Sequence, residues 1–170
     1  MARKEISVDH LMAVAAPRNP KAAVLMDMLL YERALAQGLV SANPTDLDAA
    51  GLKTILQRAL IGQRSLKVVV PAAAALTVDI PALNHVLLVI GDYFKDSSQM
   101  TVQVAASRSI VKIGFKSLGY KPNVDAATLK RKLAKAITMT GSKLDIDPLA
   151  PGAVNLFVPV APRSSTQDAA

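Results

Sequence analysis

The chain lacks cysteine and tryptophan altogether, and aromatic residues make up only 4% of its 170 residues. Without cysteine, disulfide bonds, thiolate metal sites and cysteine nucleophiles are all excluded. The scarcity of aromatic rings also disfavours a protein that grips single-stranded bases by stacking, since each stack would contribute roughly 1–3 kcal/mol. The core therefore has to be built from aliphatic side chains, and a hydrophobic fraction of 51% is ample for one.

Long apolar runs are missing as well. No run approaches the roughly 20 apolar residues that a membrane-spanning helix needs. The short apolar run from Leu11 to Ala16 follows Glu5 and Asp9, and this charged approach is untypical of a secretory signal. The sequence therefore predicts an intracellular protein.

Motifs that carry catalysis are also missing. No P-loop, dinucleotide fingerprint or Gly-x-Ser-x-Gly sequence occurs. The chain has two histidines, His10 and His85, and His85 lies in the apolar run from Leu83 to Ile90. A structural role for His85 is favoured over a catalytic or phospho-accepting one. We therefore expect a non-enzymatic protein with no cofactor and no metal site.

Acidic residues are almost absent between Ser107 and Lys143, where nine basic side chains face one carboxylate, Asp125. The formal net charge of the whole chain is +7, so this stretch carries nearly all of its electrostatic character. Basic charge gathered in this way attracts polyanions. It predicts binding of nucleic acid, RNA more than DNA, or of an acidic protein surface; a merely solvated basic face is the alternative. The candidate binding residues are Arg108, Lys112, Lys116, Lys121, Lys130, Arg131, Lys132 and Lys135.

Three helices are predicted in the first third of the chain. A short one covers residues 8–16 and ends at Pro17. The next begins at Asn19-Pro20 and ends at Gly38, a residue suited to the left-handed conformation of a helix terminus. The third begins at Asn43-Pro44, and Gly62 closes it. Its buried stripe consists of Leu52, Ile55, Leu56, Ala59 and Leu60.

Two further helices are predicted later in the chain. Asp79-Ile80-Pro81 is a typical helix start, and it favours a helix over residues 82–94, although the run from Val86 to Ile90 alone would also suit a buried strand. Residues 125–139 have apolar side chains at helical spacing, with Gly141 after them.

Strands are predicted where apolar side chains are β-branched or alternate with polar ones. Leu66 to Val70 is short, β-branched and stopped by Pro71. Residues 100–104 alternate in the manner of a half-buried strand. Residues 110–115 fit either a paired strand or a helix. We expect a single compact α/β (α+β) domain, with several helices on a small sheet.

Four prolines interrupt the chain after Lys143: Pro148, Pro151, Pro159 and Pro162. They predict a core domain over residues 1–143 and a flexible, extended C-terminal tail over residues 144–170. The tail nevertheless carries an apolar patch, which would invite aggregation if it were left uncovered. We expect this patch to dock on a partner subunit, and it consists of Leu156, Phe157, Val158 and Val160.

Two segments resemble part of a helix-turn-helix regulator. Leu118 to Asn123 is similar to the turn, and Thr128 to Leu133 is similar to the recognition helix that reads the major groove. Four residues lie between the two segments, more than the tight turn of that family contains. A DNA-binding regulator is therefore the alternative function.

The layout of the whole chain resembles the small assembly and packaging cofactor of double-stranded RNA bacteriophages, the cystoviruses. The resemblance lies in Leu66 to Val70 leading into Ala72 to Leu76 and Leu83 to Ile90, and in the late Asp147 to Pro151. It implies a place inside the virion, beside capsid and polymerase subunits, and a role in capsid assembly and RNA packaging. The leading expectation is thus a non-enzymatic accessory protein of a larger nucleoprotein assembly.

Overall fold

The computed structural model describes residues 20–39, 43–61, 63, 65–95, 97–119, 125–147, 149–150 and 152–160. The chain divides into two compact units, residues 1–41 and 42–170. The described part of the first unit is helix α1 (Pro20–Ala36) and a turn in which Gly38 adopts a φ of +66°. The predicted helix from Pro20 to this glycine is confirmed. The predicted helix over residues 8–16 lies outside the described residues.

The described part of the second unit combines three helices with two sheets, which confirms the predicted α+β class. Its elements are β1 (Pro44–Leu47), α2 (Ala49–Ala59), β2 (Leu66–Val69), β3 (Leu76–Asp79), α3 (Ile80–Tyr93), β4 (Gln99–Ala106), β5 (Ile110–Leu118), α4 (Ala126–Thr140), β6 (Lys143–Ile146) and β7 (Ala153–Pro159). β1 pairs antiparallel with β3, and the other strands form a mixed five-stranded sheet of order β2-β4-β5-β7-β6, in which β2 and β4 are parallel.

Each helix of the second unit begins at an aspartate. The carboxylates of Asp48, Asp79 and Asp125 accept hydrogen bonds from the backbone N–H three residues further on, at 2.7, 2.9 and 2.7 Å. These bonds satisfy donors that have no partner within the helix. The predicted helix start at Asn43-Pro44 is wrong, because Pro44–Leu47 forms β1 and the cap is Asp48.

Helix α3 is apolar almost all the way round, and ten of its 14 residues are buried. It packs between α2 and α4 and also contacts β3. A helix buried on several sides needs no polar face, which explains why its apolar run also suited a strand. The predicted helix and its start at Asp79 are confirmed.

Strand β5 alternates strictly between buried and exposed side chains. Val111, Ile113 and Phe115 are buried toward the helices, whereas Lys112 and Lys116 are exposed on the opposite face of the sheet. This period of two resolves the ambiguity of residues 110–115 in favour of a strand. Within the described part of the second unit, the sheet thus has an inner face that forms the core and an outer face that no other element covers.

The predicted flexible tail is wrong for the described residues after Lys143. β7 lies between β5 and β6, and its side chains Leu156 and Val158 are 0% exposed. Docking of these two side chains on a partner is therefore excluded, because they already belong to the core. The prolines do not interrupt the strand, since Pro159 is its last residue, where a missing ladder hydrogen bond costs least. Residues 161–170 lie outside the described residues.

Asp79 is a buried carboxylate that connects two parts of the second unit. It is 2% exposed, and besides capping α3 it accepts a hydrogen bond from the backbone N–H of Asn43 at 2.7 Å. One buried side chain thus joins the start of α3 to the chain entering β1.

We expect Asp79→Ala to lower the free energy of unfolding by about 2–4 kcal/mol, because two backbone donors lose a charged acceptor. Asp79→Asn should cost less, since its single carbonyl oxygen still caps the helix. Urea denaturation measures both values. Asp125→Ala is the control, because it removes a cap that is exposed to solvent. A loss for Asp79→Ala no larger than that of the control would contradict this assignment.

Candidate functional site

The basic residues that the sequence singled out lie on two opposite faces of the second unit. Lys112 and Lys116 are exposed on the outer face of β5, and Arg108 lies in the turn before it. The other described members are exposed on α4, which packs on the inner face: Lys130, Arg131, Lys132 and Lys135. Lys121 lies outside the described residues. The structure thus divides the expected binding surface into two smaller ones.

Strand register arranges the outer face of the sheet into rows that cross neighbouring strands. Basic side chains occupy two of these rows, and a row with small and polar side chains lies between them. The first row contains Lys67, Thr101, Lys116 and Ala153; the second contains Val69, Gln103, Gly114, Asn155 and Asp145; the third contains Ala105, Lys112, Phe157 and Lys143. Lys67 and Lys143 were not among the predicted binding residues, because pairing across strands is not visible in the sequence.

A second group of polar side chains meets where α3 ends, β4 begins and β5 ends. The hydroxyl of Ser117 donates to the hydroxyl of Ser97 at 2.5 Å, and Ser97 is 3% exposed. The hydroxyl of Ser98 donates to the carbonyl of Leu118 at 2.9 Å. Gly119 has a φ of +66°, and a Cβ atom there would lie 2.7 Å from the Ser98 hydroxyl. We call Ser97, Ser98, Ser117 and Gly119 the serine cluster.

The serine cluster adjoins two aromatic rings at the end of α3. Tyr93 and Phe94 are almost fully buried and contact each other edge to face, with ring centroids 4.9 Å apart. Binding sites for small molecules combine apolar walls with a few hydroxyl or backbone groups that fix orientation. The two rings are enclosed in the core, so the groups that this place offers to a ligand are its hydroxyls, which can donate and accept hydrogen bonds. The sequence gives no sign of this cluster, since serine has no distinctive spacing.

His85 is buried in the middle of α3, with an exposed fraction of 1%. Burial disfavours the charged imidazolium and lowers its pKa from 6.5 to about 4. The side chain is therefore neutral at physiological pH. Because it is out of reach of solvent, it cannot act as a phosphoryl acceptor in this conformation, which agrees with the structural role predicted for it.

Two further properties concern the described part of the chain. Within it, no group of three or more acidic or histidine side chains is placed to hold a metal ion. None of the described helices combines the length and hydrophobicity that crossing a membrane requires.

Among the comparisons with known proteins, the comparison of structures found matches and the comparisons of sequence did not. No protein-family model matches the chain, and no curated protein matches it. The catalytic domain of the histidine kinase ThkA superposes with a TM-score of 0.55 at 10% identity, covering 71% of this chain and 99% of that domain. The ATP-binding domain of PrrB from Mycobacterium tuberculosis gives a TM-score of 0.50 at 15% identity, covering 71% and 98%. The histidine kinase AdeS from Acinetobacter baumannii gives 0.55 at 10% identity, covering 94% and 87%.

The chain therefore has the fold of the ATP-binding catalytic domain of histidine kinases. This finding overturns the resemblance to a cystovirus packaging cofactor, and with it the expected capsid, polymerase and RNA partners and the place inside a virion. It also overturns the expectation of a non-enzymatic accessory protein, because the matched domains are catalytic domains of kinases.

The alternative of a helix-turn-helix regulator is wrong for the same reason and for a second one. The element before α4 is the strand β5, which pairs with β4 and β7, so α4 has no preceding helix to form the motif. The segment that resembled its turn lies mostly outside the described residues.

The burial of His85 predicts how stability changes with pH. Its folded-state pKa lies below the unfolded value, so the unfolded chain binds the proton more tightly. Stability should be complete above pH 6.5 and fall as the pH decreases toward about 4, by about 3 kcal/mol in all. Urea denaturation across this range measures the loss. His85→Leu should flatten the pH dependence, because it removes the buried imidazole. An unchanged slope in His85→Leu would contradict the buried, neutral assignment.

Proposed function

We propose that this chain is a nucleotide-binding domain of a histidine-kinase-like signalling protein, and that it binds ATP. The observation that carries the proposal is the extent of the structural match. The superposition covers 97–99% of the ThkA and PrrB domains and 70–71% of this chain. An intracellular location belongs to the same proposal.

We place the adenine ring beside the serine cluster, because the edge of an adenine presents both donors and acceptors and hydroxyl groups can satisfy both. The hydroxyls of Ser97 and Ser117 are adjacent, and the neighbouring Ser98 is exposed. Gly119 lies so close to Ser98 that a Cβ atom there would be 2.7 Å from the Ser98 hydroxyl.

The electrostatics of α4 restrict where phosphate groups can lie. Asp125 occupies the N-terminus of α4, and the hydrogen bonds that it accepts from Thr128 lower the pKa of its carboxyl group, so this terminus carries a negative charge. A phosphate group would be repelled there. The basic side chains of α4 lie within the next two turns, and the exposed Lys130 and Arg131 are suited to attract a triphosphate from the solvent side.

The structurally similar proteins are histidine kinases, which transfer a phosphoryl group to histidine. We propose that the signalling system to which this chain belongs carries out the same class of reaction. Burial makes His85 unsuitable as the acceptor. The acceptor is therefore a histidine elsewhere, in this chain or in a partner, and the domain's own task is to hold the nucleotide.

ATP binding tests the proposal directly. We expect ATP to raise the melting temperature of the protein and to release heat in calorimetric titration, since a ligand that binds only the native state stabilises it. Ser97→Ala should weaken ATP binding by about fivefold, because one hydrogen bond is lost.

Gln103→Ala, on the outer face of the sheet, is the matched control and should bind ATP like the unmodified protein. GTP should bind more weakly than ATP if the hydroxyls form hydrogen bonds with the edge of the adenine ring. If the unmodified protein shows neither heat nor a shift in melting temperature with ATP at about 1 mM, the proposed function is wrong.

A further inference from the structure

An open groove lies at one end of the outer sheet face, next to Gly141 at the C-terminus of α4. Its volume is about 780 Å³, within the range that small organic ligands occupy. Residues from the β4–β5 turn, from β5, from β6 and from β7 line it. Those that matter for binding are Arg108, Ile110, Lys143, Phe157, Pro159 and Val160.

The floor of the groove is an aromatic ring between two lysines. Phe157 on β7 pairs with Lys112 on β5 and with Lys143 on β6, so the three side chains form one row across the sheet. The Nζ atom of Lys112 lies 5.9 Å from the centre of the Phe157 ring, a favourable cation–π distance. The ring is half-buried, and Phe157 is one of the residues that line the groove.

Backbone hydrogen bonds hold the walls of the groove in place. The turn before β5 is closed by bonds in both directions between Ser107 and Ile110, of 2.9–3.1 Å. The N–H of Val160 donates to the carbonyl of Ser109 at 2.9 Å, and the carbonyl of Val160 accepts from Thr77 at 2.8 Å. A cavity with fixed walls binds without the entropic cost of ordering loops.

Charge defines the kind of molecule that fits. Arg108 and Lys143 are exposed cations on the rim, and none of the described residues that line the groove is acidic. The acid of the same sheet face, Asp145, lies in the neighbouring row, where it pairs with Asn155. Ile110 is 41% exposed and continues the apolar floor beside Pro159. The groove thus combines a flat apolar floor with a basic rim.

We propose that this groove binds an organic anion with a flat apolar body. The body lies on Phe157 between Ile110 and Pro159, and the anionic group, a carboxylate or a phosphate, pairs with Arg108 and Lys143. Because the groove and the serine cluster lie on opposite faces of the sheet, this site is separate from the proposed ATP site.

Three small probes separate the parts of this proposal: 2-naphthyl phosphate, which has ring and charge, inorganic phosphate, which has only charge, and 2-naphthol, which has only the ring. We expect 2-naphthyl phosphate to bind with a dissociation constant below about 1 mM, and each of the other two at least about tenfold more weakly. Amide chemical shifts of β7 and of the turn at Arg108 should move with 2-naphthyl phosphate, and those of the serine cluster should not.

Lys143→Gln should weaken 2-naphthyl phosphate binding by about tenfold, because one charged hydrogen bond is lost at an exposed position. Lys67→Gln is the matched control, since this lysine lies on the same face outside the groove. Phe157→Leu keeps an apolar side chain but removes the ring, and its melting temperature shows whether the fold is retained.

Equal binding of inorganic phosphate, an equal loss in Lys67→Gln, or no binding of 2-naphthyl phosphate at about 1 mM would overturn the proposal. Vesicles of phosphatidylserine and phosphatidylcholine provide the competing outcome. If they sediment the protein through both Lys67 and Lys143 while 2-naphthyl phosphate fails to bind, the whole face docks on an anionic membrane and the small-molecule site is rejected. These results do not depend on whether ATP binds at the serine cluster.

Discussion

The fold depends on enclosing α3, a helix with almost no polar surface. Its buried side chains run along the whole helix, so it can exist only with neighbours on several sides. α2 and α4 supply two of these neighbours, and the inner face of the sheet supplies the apolar layer opposite the helices. Asp79 fixes where this helix begins, because its carboxylate accepts hydrogen bonds from both α3 and the chain before β1. The order of the strands and the positions of the other helices follow from covering α3.

Enclosing α3 also decides where the charged residues lie. The side chains on the inner face of the sheet must be apolar, so the lysines of β5 lie on its outer face. The basic residues of α4 lie on the side of that helix that faces away from α3. A cluster of charge that is continuous in the sequence is therefore divided between two faces. This division explains how a strongly basic stretch belongs to a kinase-type fold without forming the single polyanion-binding surface that its composition predicted.

Much of the helical structure was predictable from local chemistry. Capping acts within four residues, so helix ends leave a local signal in the sequence. Gly38 and Gly141, which adopt the left-handed conformation, follow α1 and α4, and aspartates precede α3 and α4. β1 was missed since a proline after an asparagine also suits a helix start. Val154, Leu156 and Val158 alternate as a strand requires, but the prolines around them are typical of an extended tail, so the sequence does not predict β7.

The fold family and both sites were beyond the reach of the sequence. At 10–15% identity the likeness to histidine kinase domains is carried by the arrangement of elements rather than by shared residues. The serine cluster joins residues about 20 positions apart, and the groove joins residues of the β4–β5 turn, β5, β6 and β7. Such sites form only when strands pair in one register, and a single sequence does not reveal that register.

The late strand β7 completes the sheet on which α3 and its neighbours pack. Amide hydrogen exchange of the isolated protein measures whether this strand is as stable as the rest of the sheet. We expect the amides of Leu156 and Val158 to exchange as slowly as those of Val111 and Ile113 in β5, because all four open only with the whole sheet. Exchange of the β7 amides at the rate of an unstructured chain, with β5 still protected, would contradict it.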